Sequence, residues 1–338
     1  MRFFLKFSLI LTILLVATSV RLPRTYGQFF PRHPGPTLDP KVRTDHLTYI
    51  NENQPHIVLI GDSTLVLGMD PQALASQTGK SVYSIGIPGS ASALWYLIIK
   101  NTIAEATHKP DLVLVVFRDS ILTAPGYRVH GSYFELLDEH ALRNEPVLVE
   151  KAFLSQMNPL EYAAEKYFPL YGFRSDIRTL MDGGIRYFAP PLVGCDRPCT
   201  DRALGELFQG ADMEPGVLVD AVDAAESLLY TSDQLDFEVQ VDKSFLPDMI
   251  EISKENGFNL MFVRIRVESG SDYSPELGRY LTDLERYLDE QNVHLLDLGN
   301  DPRFTSDLFR DSIHLNGQGR ELFTRLVAEE LIRIGIEK

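Results

Sequence analysis

Two short stretches carry the residue types needed for nucleophilic catalysis. The first is Gly61-Asp62-Ser63, which closes the apolar run Ile57 to Ile60; the second is Asp311-Ser-Ile-His314, near the carboxyl end. A serine hydroxyl becomes an effective nucleophile when a neighbouring base takes its proton, and a carboxylate beside a histidine base fixes its tautomer and stabilises the imidazolium. Asp311 and His314, three residues apart, could meet Ser63 if the fold brings their loops to one sheet edge. Helix capping by Asp62 or Ser63 is the plainer alternative, as is capping by His314 before a final helix. Among the eight histidines, His46 and His140 also have acidic neighbours, but they fall in a linker and an insertion and read as solvated surface residues.

The surrounding pattern supplies the elements that would position these residues. Ile57 to Ile60, SVYSIGI at 81–87, DLVLVVF at 111–117, NLMFVRIRV at 259–267 and VHLLDL at 293–298 read as strands. The stretches between them read as helices, so the alternation predicts an α/β fold with a parallel sheet. DLVLVVF is the most hydrophobic strand and is expected at the centre, covered on both faces. Leu277, Tyr280, Leu281, Leu284, Tyr287 and Leu288 recur at helical spacing, and an amphipathic helix closes the chain. Residues 120–234 lose the alternation and read as an inserted, mostly helical cap within an α/β domain over 56–338. In such a sheet, sites form outside the carboxyl ends of strands, where Ser63 falls. A helix beginning there would turn its free amides toward the serine and favour a developing negative charge.

Gly61-Asp62-Ser63 after the first strand and Asp311-x-x-His314 before the last helix, in that order, resemble the SGNH or GDSL-type hydrolase superfamily. The resemblance covers the α/β parts and not the insertion. It implies a three-layer, flavodoxin-like α/β fold with a central parallel sheet, in which Ser63 is the nucleophile and Asp311 and His314 complete the triad. The family's second block is a glycine whose amide joins the oxyanion hole; YSIGIPGSAS offers Gly86 and Gly89, and Gly89 matches the spacing better, although a turn glycine after Pro88 needs only local geometry. The third block ordinarily reads Gly-x-Asn-Asp, but here the strand ends in Val116-Phe117-Arg118-Asp119 and the Asn is missing. Losing one oxyanion donor typically costs on the order of a hundredfold in rate. Arg118 either donates in its place or forms a structural ion pair with Asp119. With Asp62 and Asp119, Gly89 and Arg118 make up the expected oxyanion and substrate-contacting set. No metal or other cofactor is expected.

The chain has 338 residues, 44% hydrophobic and 23% charged, enough for a full-sized core. Its 32 Lys and Arg against 47 Asp and Glu give a formal charge of -15 without a basic cluster, which argues against nucleic acid as a partner. The amino terminus reads Met1-Arg2-Phe3-Phe4-Leu5-Lys6, then an uncharged stretch from Phe7 to Val20. This segment, 1–22, is a cleaved signal, with Ala17-Thr18-Ser19 as a cleavage site, or an uncleaved anchor crossing the membrane through residues 3–20, the favoured alternative. A Pro/Arg-rich linker, 23–55, follows. Either way the remainder is expected outside the cytoplasm, on the periplasmic or cell-surface face of the inner membrane. There a close cysteine pair such as Cys195 and Cys199 most simply forms a local disulfide; two thiolates alone do not complete a zinc site.

An exported domain of this type with an anchor and a large insertion resembles proteins that O-acylate exopolysaccharides and wall polymers, often beside a membrane-bound O-acyltransferase. Three functions follow: a serine O-acyltransferase modifying an exported polysaccharide, a carbohydrate esterase or deacetylase with the same triad, or a non-catalytic polysaccharide-binding or assembly partner. The aromatics Tyr127, Tyr133, Phe134, Tyr162, Tyr167, Phe168, Tyr171 and Phe173 are either a sugar-stacking wall or core.

Overall fold

The computed structural model describes residues 2–39, 44–174, 177, 180–181, 226–268 and 274–335. Cys195 and Cys199, and with them the expected disulfide, lie outside the described residues. The chain divides into two compact units: Thr37–Ala152 with Glu226–Lys338, and Met1–Pro36 with Phe153–Ala225. The stretches 120–152 and 226–234, read from sequence as parts of the cap, thus belong to the same unit as the sheet.

α1 (Arg2–Tyr26) opens the chain. It runs past the expected boundary at residue 22. From Phe3 onward it is long and apolar enough to cross a membrane by length and composition, with an 18-residue window of mean hydropathy 2.2 and its side chains outside any protein core. The expected linker also contains α2 (Asp45–Asn53), whose Ile50 is fully buried. One apolar residue at the right place gives that helix a core contact that Pro/Arg-rich composition does not reveal.

Five strands follow: β1 (Ile57–Gly61), β2 (Val82–Gly86), β3 (Leu112–Phe117), β4 (Asn259–Arg264) and β5 (His294–Asp297). They pair in parallel in the order β2-β1-β3-β4-β5, with β3 central. The flavodoxin-like order reverses between β1 and β3, the switch point at which doubly wound sheets open a crevice. All residues of β1 and β3 are buried, as runs of β-branched and leucine side chains covered on both faces should be.

Helices cover both faces. α3 (Ser63–Gly68) and α4 (Pro71–Thr78) follow β1, and α5 (Ser92–Ile98), prolonged by a π-helical turn at Ile99–Ile103, follows β2. α6 (Ser132–His140) and α7 (Pro146–Ala152) come after β3. α8 (Pro159–Tyr167) and α9 (Pro169–Gly172) belong to the other unit. α10 (Phe237–Gln240), α11 (Leu246–Asn256), α12 (Pro275–Glu290) and α13 (Gly317–Arg333) complete the chain.

Ile57, Leu59, Leu112, Leu114, Val116, Met261 and Val263 form one core with Leu65 of α3, Leu74 of α4 and Phe323, Val327 and Leu331 of α13. Strand alternation sends Val58, Ile60, Val113, Val115, Phe117 and Phe262 to the opposite face. There α11 packs on β4 and on α5, and α12 lies along β5. The Leu277, Tyr280, Leu281, Leu284 and Leu288 stripe of α12 is buried as its spacing predicts.

Candidate active site

β1 ends in Gly61 because the chain doubles back at once into α3. A Cβ on Gly61 would lie 2.8 Å from the Leu65 Cβ and 3.1 Å from the Val116 carbonyl oxygen, so only glycine admits the first turn of α3 this close to the sheet. Asp62 caps that helix: its carboxylate accepts from the Thr64 N–H at 2.8 Å and the Thr64 hydroxyl at 2.7 Å, with only 2% of the residue exposed. Ser63, the first residue of α3, is half-buried at the carboxyl end of β1.

The partner loop builds itself around one carboxylate. Asp311 Oδ1 accepts from the Ile313 N–H at 3.0 Å and the His314 N–H at 2.9 Å, an Asx-type turn that accounts for the three-residue spacing. The same carboxylate faces the His314 Nδ1 at 2.9 and 3.0 Å from its two oxygens. A short antiparallel bridge between Phe309 and Leu315 closes the loop, and Leu315 anchors it in the core. Asn316 then caps α13 through the Gln318 and Gly319 amides.

The loop places His314 Nε2 at 2.8 Å from the Ser63 Oγ, across 251 residues of sequence. With Nδ1–H donated to Asp311, Nε2 carries the lone pair and accepts the serine proton. Burial pushes the Asp311 carboxyl up, but the Ile313 amide and His314 outweigh it and hold its pKa below the ordinary carboxylate value. The carboxylate therefore stays ionised as a partner for an imidazolium.

Gly89 sits in the loop after β2, which is tied to the end of β1. The Gly61 carbonyl accepts the Ile87 N–H at 3.0 Å and the Ser90 hydroxyl at 3.1 Å, and the Trp95 indole donates to Ser90 at 2.8 Å. Gly89 has φ +81°, a conformation that favours glycine, and a Cβ there would meet the Tyr133 ring at 2.8 Å. Among the described residues, neither Ser63 nor Gly89 donates its backbone N–H to a protein acceptor. Both amides are available to an oxyanion. Ser90 and Trp95, which hold this loop, carry no sequence signature; their role depends on a carbonyl 29 residues from Ser90.

The end of β3 is organised differently. Arg118 is 3% exposed; its guanidinium pairs with Glu226 at 2.5 Å and with Asp119 at 3.6 Å, and reaches the Tyr127 hydroxyl at 3.5 Å. Glu226 also accepts from Tyr127 and, at 2.8 Å, from Arg128. Burial works against the Arg118 charge, yet Glu226, then Asp62, Tyr127 and Asp119, raise its pKa above the ordinary guanidinium value. Asp119 is 3% exposed and accepts from the Tyr230 hydroxyl at 2.6 Å. Of the two sequence alternatives for Arg118, the structure shows the ion pair. Asp62 and Asp119, expected among the substrate contacts, are buried with protein partners: one caps α3, the other joins this network. Glu226 and Tyr230 were not identifiable in sequence, since they meet Arg118 and Asp119 from 108 and 111 residues away.

His140 corrects the expectation of a solvated histidine, being 5% exposed. Its ring stacks on that of half-buried His46 at 5.9 Å, and His46 Nδ1 lies 2.7 Å from the Tyr83 hydroxyl. Among the described residues no group of three or more His, Cys, Asp or Glu gathers to hold a metal ion.

The parallel sheet with its switch-point serine, and the histidine and aspartate brought to it by the last loop, make up a doubly wound α/β fold with a Ser-His-Asp cluster at the carboxyl edge of its sheet. No family model matches the chain, and no curated protein matches it. Among solved structures it is similar to a GDSL-like lipase from Bacteroides thetaiotaomicron, 11% identical with a TM-score of 0.36 over 86% of this chain and 98% of that one. It is also similar to a catalytic mutant of an acetylxylan esterase from Geobacillus stearothermophilus, 11% identical with a TM-score of 0.39 over 84% of this chain and 96% of that one. At these values the likeness carries nothing about chemistry.

Proposed function

We propose that the chain is a serine-dependent acyl-transfer enzyme that O-acylates, most simply O-acetylates, an exported polysaccharide while anchored by α1 on the outer side of a membrane. The observation that carries the chemistry is the unbroken relay from Ser63 Oγ to His314 Nε2 at 2.8 Å and from His314 Nδ1 to Asp311 at 2.9 Å.

His314 takes the Ser63 proton as Oγ attacks the acyl carbonyl. The resulting oxyanion is held by the Ser63 and Gly89 amides. His314 returns the proton to the departing oxygen, leaving an acyl-Ser63 ester. A sugar hydroxyl then loses its proton to His314 and attacks that ester; the acyl group leaves on the sugar and Ser63 recovers its proton. A membrane-bound O-acyltransferase would be the supplier of the acyl group. The apolar length of α1 supports the anchored placement.

Water in place of the sugar makes the same site a carbohydrate esterase. One observation favours this second reading: the Asp311 side chain is 47% exposed and that of His314 20%, so solvent reaches the relay.

The test is intact mass spectrometry of the full chain in detergent after incubation with p-nitrophenyl acetate, beside Ser63→Ala and His314→Ala. An acetyl adduct confined to wild type and discharged faster by oligosaccharide than by buffer is the expected result. Discharge by buffer alone establishes the esterase, and neither adduct nor p-nitrophenol release from wild type leaves the chain a non-catalytic polysaccharide partner.

A further inference from the structure

The second unit contains a helix that exposes large apolar side chains beside its exposed Glu161. α8 buries a carboxylate, Glu165, and exposes its apolar residues: Leu160 is 81% exposed, Tyr167 58%, and Phe168, directly after the helix, 57%. Leu160 and Tyr167 are seven residues apart and so share a face. Helices of water-soluble units normally bury that stripe and turn their charges outward. Lys166 lies 5.7 Å over the Tyr162 ring and 5.5 Å over the Tyr167 ring, so the face combines aromatics, an aliphatic side chain and a cation.

This face is built onto the end of α1. Tyr26, the last residue of α1, stacks on Phe173 at 4.7 Å and 21°, and Phe30 packs on the same ring at 5.6 Å. Arg32 pairs with the buried Glu165, and its N–H donates to the Lys166 carbonyl at 3.1 Å. Arg174 also pairs with Glu165, so the buried carboxylate is neutralised from two sides. Phe29, in the same connection, is 90% exposed.

We infer that α8 and the residues beside it form a membrane-contact surface: Leu160, Tyr167, Phe168 and Phe29 enter the interfacial layer of the bilayer that α1 crosses, with Lys166 at the headgroups. Continuity selects lipid as the occupant, because α8 is tied through Glu165 and Lys166 to Arg32, a few residues beyond the end of the membrane-length helix. Its Tyr, Phe and Lys side chains are those favoured at the headgroup boundary. The inference rests on α1 being a retained anchor.

The test uses the full chain with Cys195→Ser and Cys199→Ser, carrying Leu11→Cys in α1, Leu160→Cys or Phe168→Cys, each labelled with the environment-sensitive fluorophore NBD. The proteins are reconstituted in phosphatidylcholine and phosphatidylglycerol vesicles with or without doxyl-labelled lipid, with NBD-cysteine as the water reference. The expected result is a blue shift and loss of intensity to the doxyl lipid at all three positions. Quenching at 11 with water-like emission at 160 and 168 overturns the inference and leaves the anchor standing; water-like emission at all three overturns the anchor as well. A shift at 160 and 168 only after a membrane protein is added makes the partner a protein and overturns the lipid assignment.

Discussion

The carboxyl edge of the sheet ends in two polar clusters that obey opposite rules. After β1, Ser63, His314 and Asp311 are partly open to solvent and joined by one contact across 251 residues, each half being set by its own local turn. After β3, Arg118 and Asp119 are withdrawn from solvent, and no local turn completes them: half-buried Glu226 and Tyr230 arrive from the far side of the 153–225 segment. Chemistry needs a group that can exchange its proton with a substrate, which the first cluster offers. The second spends its charges on one another: Arg118 pairs with Glu226 and Asp119, and Asp119 accepts from the Tyr230 hydroxyl.

The largest expected effect tests the first cluster. Asp311→Asn keeps the side chain's shape and one oxygen but replaces the other with an NH2 and removes the charge that selects the His314 tautomer, and should lower kcat on the order of 10⁴-fold. Ester turnover by the variant at the wild-type rate would show that the relay does not operate. Its unfolding midpoint should move little, since the carboxylate is 47% exposed.

Glu226→Ala should reverse that profile. Removing the nearest partner of buried Arg118 leaves it with Asp119, Asp62 and the Tyr127 hydroxyl, at a cost of about 3 kcal/mol in denaturant unfolding. Burial pushes the Glu226 pKa up, but Arg118 and the Tyr127 hydroxyl outweigh it, so the folded value lies below the ordinary one. A folded pKa below the unfolded pKa of about 4.3 gives stability that is present above that pH and lost as pH falls through the folded value. The stability gap between wild type and Glu226→Gln should therefore be full at neutral pH and shrink in acid. A gap independent of pH would mean that the pair contributes nothing as an ion pair.

The smallest effect on turnover comes from the loop after β2. Gly89→Ala places a side chain at φ +81° against Tyr133, costing about 1 to 2 kcal/mol in unfolding. If the Gly89 amide is a donor, kcat should fall on the order of a hundredfold with KM nearly unchanged. An equal loss in stability without the kcat effect would assign Gly89 to the turn alone.

Most of the fold could be read from the sequence, because the strands are continuous apolar runs and α12 and α13 keep helical spacing. The meeting of Ser63, His314 and Asp311 was also legible: Asp311-x-x-His314 is a local turn in which one carboxylate grips two amides and the imidazole, and Gly61-Asp62-Ser63 is a local strand-to-helix reversal. Sequence by itself thus determined the strands, the two halves of the site and the apolar α1, all products of short-range sterics and periodicity. Tertiary structure alone decided that Arg118 pairs with Glu226, that His140 is buried, that 120–152 packs with the sheet, and that α8 turns its apolar face outward. Each depends on what a distant segment places beside a side chain, and burial and charge pairing arise only when the chain closes on itself.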